Sequence, residues 1–438
     1  MRQSSTKARP QAVPALRPGI RQLLSEFSVL VSASGVSIVL RFMLAVVASR
    51  ELGPERWGYW SLLLVAMGYL PLLQLGVLNG MNQRVPALRV DGSSNEARIV
   101  KQTALAVTVL AAVAAVPLLF GTATFWQENA SVPVLGAAAA FFLMSQLQLW
   151  QQMCLRAEMA FADAARQQML VSVLVFGAAL AGLWLSGLPG FVAGQALGTA
   201  LSLLMYAQDH RAPIGWSLRR PTLVELSGIG FPIMLSSIIF AATLSADRVV
   251  LAHFHGVAVV GQYAVALIAT NGMFLVLQTV SQQFYPRIVA ACRRADLLAA
   301  REIVRQQTAM NLALTSAAAV AVLILFPWIV RTFMPAYRDG LEALLPLVLS
   351  MLAIASGNGF ANFLNSAGRQ RAGLAIHLLS LPVAYGLTSA AAAAGWGPRG
   401  VAYAVLATFL LQAAALWRCA WHFGLKPAAG SEAPKCAS

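Results

Sequence analysis

Arg41 stands inside an unbroken apolar stretch, residues 27–49. An ionisable side chain in such a setting costs about 3 kcal/mol or more, so it faces a protein interior or a water-filled cavity rather than lipid. A guanidinium there has two uses. It can pair bidentately with a phosphate or carboxylate, or it can be a structural group satisfied by helix carbonyls or a neighbouring Asn. Arg41 falls about 21 Å along its helix from the basic end, which places it towards the other half of the membrane.

Neutral polar residues recur at helical spacing within other apolar stretches. Asn358, Asn362 and Asn365 step by i, i+4 and i+7 and share one helix face. Gln278 and Gln282 form a second such face, and Asn79, Asn82 and Gln83 a third. In lipid such faces turn inward. They either bridge helices, at about 0.6 kcal/mol per hydrogen bond, or line a cavity that offers donors and acceptors to a polar cargo such as a sugar. Asp247 and Arg248 close the seventh apolar stretch, as a local ion pair or as a gate at the cleft mouth. Gly228, Gly230 and Pro232 cluster early in the same stretch, as a hinge or a static kink. His377 is the one deep histidine, packed and neutral or part of a proton relay.

The elements that must position these groups are membrane helices. The 438 residues are 58% hydrophobic and 11% charged, and mean hydropathy is +0.69. That composition marks an all-α polytopic membrane protein. Twelve apolar runs are long enough to cross about 30 Å of hydrocarbon: 27–49, 58–81, 102–120, 132–153, 169–187, 191–206, 223–246, 263–285, 308–330, 344–364, 373–394 and 401–421. The loops between them alternate in charge. One side holds 24 Lys and Arg and the other holds 6, so the basic side, with both termini, is expected to be cytoplasmic. The net charge of +15 is thereby explained by anionic lipid rather than nucleic acid. Residues 1–26 and 422–438 read as cytoplasmic tails, and the Asn129-Ala-Ser triplet falls on the external side.

No large loop carries paired acids or a nucleophile, no phosphate-binding loop motif is present, and the four cysteines form no metal-ligand pattern. No cofactor and no metal site are expected. Gly194-x-x-x-Gly198 in the sixth stretch predicts close packing within its own half.

The chain also reads as duplicated. Gly53, Gly58 and Arg84 recur as Gly256, Gly261 and Arg287 at one constant offset. The offset spans six helices, so the halves share a topology: lobe one over 27–208, a basic linker over 209–222, and lobe two over 223–421.

On these residues the chain resembles the polysaccharide transporter (O-antigen and exopolysaccharide, Wzx-type) flippases of the multidrug/oligosaccharidyl-lipid/polysaccharide exporter superfamily. The resemblance lies in Ala48–Trp60, Leu75-Gly76, Ser245–Val250, Gly261–Tyr263, Phe284–Arg287 and Asn365–Arg369. It implies two pseudo-symmetric six-helix lobes, alternating access, and passage of an undecaprenyl-diphosphate-linked oligosaccharide from the inner to the outer leaflet of the bacterial inner membrane. It also implies membrane lipids and the polysaccharide polymerase and chain-length machinery as partners. Two rivals stay open: a cation-coupled drug antiporter of the same fold, and a membrane polysaccharide polymerase or ligase. Drug-exporting relatives use an embedded carboxylate, and here only Asp247, at a span end, comes near one.

Overall fold

The computed structural model describes residues 20–425, apart from residues 91, 127–130, 159, 208, 210 and 295. Asn129 and Cys436 therefore lie outside the described residues. Twelve α-helices make up the described chain: α1 (Ile20–Tyr69), α2 (Val77–Val90), α3 (Ser94–Trp126), α4 (Val132–Ala157), α5 (Phe161–Ser186), α6 (Leu188–Met205), α7 (Arg220–His255), α8 (Val257–Arg293), α9 (Leu297–Phe333), α10 (Leu344–Ser366), α11 (Gln370–Ala393) and α12 (Gly397–Ala420). Ten are unbroken apolar helices long enough to span a bilayer. The first two spans are shaped differently. They run through α1, which turns back on itself at Gly53, and on into α2, which bends away by 55°.

Backbone geometry carries the duplication. Gly53 has φ 74° and ψ 170°, and Gly256 has φ 86° and ψ 170°. Both lie in the region that favours glycine, and both make the same hairpin between consecutive spans. Gly58 and Gly261, five residues on, sit backbone to backbone across the lobe interface, where a side chain on either would strike the other hairpin. Packing repeats as well. In the first lobe α5 lies on α6, α4 on α6 and α1 on α5; in the second α11 lies on α12, α10 on α12 and α7 on α11. Gly194 and Gly198 of α6 rest on the α5 backbone, so the small-residue pair packs inside its lobe as expected.

The lobes meet along two seams, α1 against α8 and α2 against α7. At the arginine-poor end the first seam is tied by Ser49, whose Oγ donates to Met334 Sδ at 3.0 Å, and by Tyr337, whose hydroxyl donates to the Ser49 carbonyl at 2.6 Å. The second seam runs towards the arginine-rich end, from a Tyr69–Ser245 hydrogen bond to an Arg84–Glu225 ion pair at 2.8 Å.

The proposed hinge reads differently in this seam. α7 runs unbroken through Gly228, Gly230 and Pro232. Gly230 is small because the backbone at Gly76 and Gly80 lies against it, while Gly228 has open space around it. The break in regular helix comes instead at Leu75 (φ 51°) and Gly76 (φ 76°), between the short 3-10 segment Leu70–Gln74 and α2. Gln74 at that break is buried and donates to Gln146 Oε1 at 2.8 Å.

Candidate functional site

The site grows from Arg41, where three cavities meet. One, of about 320 Å³, lies inside the first lobe among α1, α4, α5 and α6. A second, of about 250 Å³, runs between the lobes, walled by α1, the basic end of α4, the start of α5, and α8. A third, of about 510 Å³, lies between α1, α7 and α8. Arg41 is on the wall of all three, so its exposed surface belongs to cavities inside the protein. It shares the first cavity with Ser145 and Ser172, each near the midpoint of its helix, α4 and α5. Arg41 therefore sits at mid-depth rather than towards the arginine-poor half.

Arg41 has no hydrogen-bonding or ion-pair partner among the described residues, so the structural use considered for it, satisfaction by helix carbonyls or an Asn, is not what the fold provides. The interlobe cavity instead adds a second cation. Arg156, at the end of α4, lines the same cavity and likewise has no partner among the described residues. Gln168 of α5 and Gln278 and Gln282 of α8 complete the polar wall. No Asp or Glu lines any of these cavities. Two unpaired guanidiniums and three amides, without a carboxylate, make an anion site. Arg156 was not legible from the sequence, because its place near a span end reads as one more basic loop residue.

The polar residues read from the sequence divide three ways. Gln278 and Gln282 join Arg41. Asn358, Asn362 and Asn365 line a separate cavity of about 330 Å³ in the second lobe, with His377 and Gln412. Much of that face is engaged in protein bonds. Asn358 Oδ1 accepts from Gln307 Nε2 at 2.9 Å and from Ser281, and Gln412 hydrogen-bonds His377 Nδ1 at 2.7 Å. Asn79, Asn82 and Gln83 lie on α2 and line none of these cavities.

Asp247 departs from expectation. α7 continues to His255, beyond the end of the apolar window, so Asp247 is two turns inside the helix and not at its end. It is fully buried. Tyr263 donates its hydroxyl to Oδ2 at 2.7 Å, and the Arg248 amide donates to Oδ1 at 2.7 Å. The Arg248 guanidinium is 3.7 Å from the carboxylate and also lines the third cavity. Asp247 is thus a carboxylate embedded within a span and sealed by a tyrosine.

A second polar assembly lies at the arginine-rich face and was also missed. Glu158, at the end of α4, pairs with Lys101 of α3 and Arg89 of α2. Both Lys101 and Glu158 are buried, and Lys101 donates further to the Arg211 carbonyl at 2.9 Å. Arg211 in the linker bridges Asp209 at 2.8 Å and Asp163 at 2.6 Å. Those carboxylates, Asp209 foremost, hold its guanidinium above its ordinary value. The linker is thereby fastened to the first lobe.

A family profile described as "Polysaccharide biosynthesis protein" matches residues 46–337. No curated protein matches the sequence. Among solved structures, the fold is similar to the inward-facing and outward-facing conformations of a multidrug resistance MATE family transporter of the MOP superfamily. Each is 16% identical with a TM-score of 0.69, over 91% and 95% of this chain and 100% and 98% of theirs. A MOP superfamily transporter from Pyrococcus furiosus, described as having a binding pocket of reversed polarity, is 13% identical with a TM-score of 0.69. It covers 96% of this chain and 100% of its own. At these identities the likeness shows the fold alone; the ten long apolar helices make the chain a multi-pass membrane protein.

Proposed function

Because the chain belongs to the polysaccharide biosynthesis protein family, we propose that it is a flippase for an undecaprenyl-diphosphate-linked oligosaccharide. It would carry this cargo from the inner to the outer leaflet of the bacterial inner membrane by alternating access, for surface polysaccharide synthesis. Both termini are then cytoplasmic, and the arginine-poor end faces outward.

One observation carries the reading. Arg41 and Arg156 face one interlobe cavity with no acid to neutralise them. A lipid-linked glycan brings a diphosphate across a low-dielectric slab, and the strong partner for it is a guanidinium with its fork of donors free. At an effective dielectric of 20, one such pair at 4 Å is worth about 4 kcal/mol before desolvation. Gln168, Gln278 and Gln282 offer amides to the remaining phosphate oxygens or to sugar hydroxyls. The two lobes close on each other at the arginine-poor end through Ser49, Met334 and Tyr337. The cavity is then reached from the cytoplasmic side, where the cargo is assembled.

The cation antiporter is less well supported. A cationic drug needs acids on the cavity wall, and none lines these cavities. Asp247 is sealed by Tyr263 and Arg248, which suits coupling to an ion better than direct contact with cargo. The deciding experiment is deletion of the gene and analysis of lipid-linked glycans. Accumulation of an undecaprenyl-diphosphate glycan on the inner leaflet is expected. Normal surface polysaccharide with no accumulating intermediate would overturn the reading.

A further inference from the structure

The linker between the lobes carries an apolar edge that the fold does not cover. Residues 213–219 form no helix, and their exposure alternates. Ile214, Trp216 and Leu218 are 67%, 59% and 47% exposed, while Pro213, Gly215 and Ser217 between them are half-buried. In an extended chain successive side chains point to opposite sides, so one edge of the linker lies on the protein and the other leaves it. Gly215 marks the inner edge, because a side chain there would strike Gln102 of α3.

That contact also sets the depth. Gln102 is the first residue of the apolar run of α3, and the neighbouring Lys101 donates to the Arg211 carbonyl at 2.9 Å. At the far end of the linker Arg220 opens α7, whose apolar run begins at residue 223. The linker thus lies level with the ends of the membrane spans, where hydrocarbon gives way to headgroups. Tryptophan is enriched at that level. The other largely exposed tryptophans among the described residues follow the same rule. Trp184 and Trp396 adjoin helix ends at the arginine-poor face, Trp328 is within two turns of one, and Trp417 is within a turn of the end of α12 at the arginine-rich face. Trp216 is the member of this set that stands on no helix.

The charges beside the apolar edge choose the lipid. The acids around the linker are already paired: Asp163 and Asp209 with Arg211, at 2.6 Å and 2.8 Å, and Glu225 with Arg84 at 2.8 Å. Arg219 and Arg220, next to Leu218, are exposed and have no ion pair among the described residues. Two free guanidiniums beside an apolar edge at headgroup depth match a lipid phosphate and the upper part of its acyl chains.

We propose that the linker is a membrane anchor. Ile214, Trp216 and Leu218 insert into the leaflet at the arginine-rich end, and Arg219 and Arg220 hold the headgroup of an anionic phospholipid there. The connection between the lobes is then a strap held by protein along one edge and by lipid along the other. This site takes a lipid of the surrounding bilayer and stands whatever the transported cargo is.

The test is site-directed fluorescence on the purified full chain in phosphatidylcholine vesicles. Cys419 and Cys436 are replaced by alanine, the buried Cys154 and Cys292 are kept, and Ile214→Cys carries the dye. Lipids bearing a nitroxide high on the acyl chain are expected to quench the dye, and aqueous iodide to leave it bright. Nitroxide-bearing phosphatidylglycerol should half-quench at about a fifth or less of the mole fraction that nitroxide-bearing phosphatidylcholine requires, fivefold being about the enrichment that one arginine near the surface provides. Arg219→Gln with Arg220→Gln should leave the protein folded, since both side chains are exposed, and bring the two lipids level. If Ile214→Cys does not fold, Leu218→Cys carries the dye with the same expected results. Quenching by iodide and not by lipid overturns the anchor. Equal quenching by the two lipids with both arginines present, or a preference that survives their replacement, overturns the anionic headgroup site.

Discussion

Replacing Arg41 by alanine separates a cargo-binding arginine from a structural one, because the two roles predict opposite effects on stability. Arg41 has no partner among the described residues, so truncation leaves no protein group stranded. It also removes a charge from mid-membrane and relieves the like charge of Arg156 across the same cavity. The melting temperature of the cargo-free protein is therefore expected to hold or rise. Transport is expected to fall steeply. A hydrogen bond to a charged group contributes about 1.5–3 kcal/mol, so losing it slows flipping about 10- to 150-fold. Arg41→Lys keeps a point charge but not the two-pronged geometry, and should fall between. The assay is complementation of a flippase-deficient strain scored beside membrane abundance, with melting measured on the purified variants. Full activity in Arg41→Ala refutes the reasoning. So does a loss of activity that only follows a loss of protein, since an unpaired side chain has nothing to destabilise when removed.

Further outcomes are expected elsewhere in the molecule. Arg156→Gln should slow transport about tenfold at normal abundance, and wild-type rates would remove Arg156 from the anion site. Glu158→Gln leaves Lys101 buried without its counter-charge and should cost about 3–5 kcal/mol, read as a lower melting temperature; Lys101→Met with Glu158→Leu should recover most of it. Ser49→Cys with Met334→Cys should cross-link the lobes at the arginine-poor end and stop transport until reduced, and continued transport by fully cross-linked protein would rule out opening there. Gly261→Leu drives a side chain into the Pro54 backbone and should prevent the two hairpins from closing, measured as loss of transport or of folded protein.

Much of the architecture was legible in one dimension. A bilayer forces each crossing to be an apolar helix of fixed minimum length, and it sorts arginines to one face, so hydropathy and charge alone expose the spans and their alternation. The constant offset between Gly53 and Gly256 already carried the duplication, since glycine marks a backbone geometry that each copy of the hairpin must repeat. Arg41 could be singled out because a charge in an apolar run is conspicuous without any neighbour being known. What pairs with what was not legible, because it depends on the rotation and crossing of helices far apart in sequence. The Asn358 ladder has the same spacing whether it meets cargo or, as here, largely its own lobe. Arg156 reads as a loop charge until α4 and α8 bring it opposite Gln278 and Gln282. In the sequence Asp247 reads as a span end because the apolar window closes before the helix does. The solvent dictates which segments cross the membrane; the packing of those segments on one another decides which side chains share a cavity, and with it what the cavity can hold.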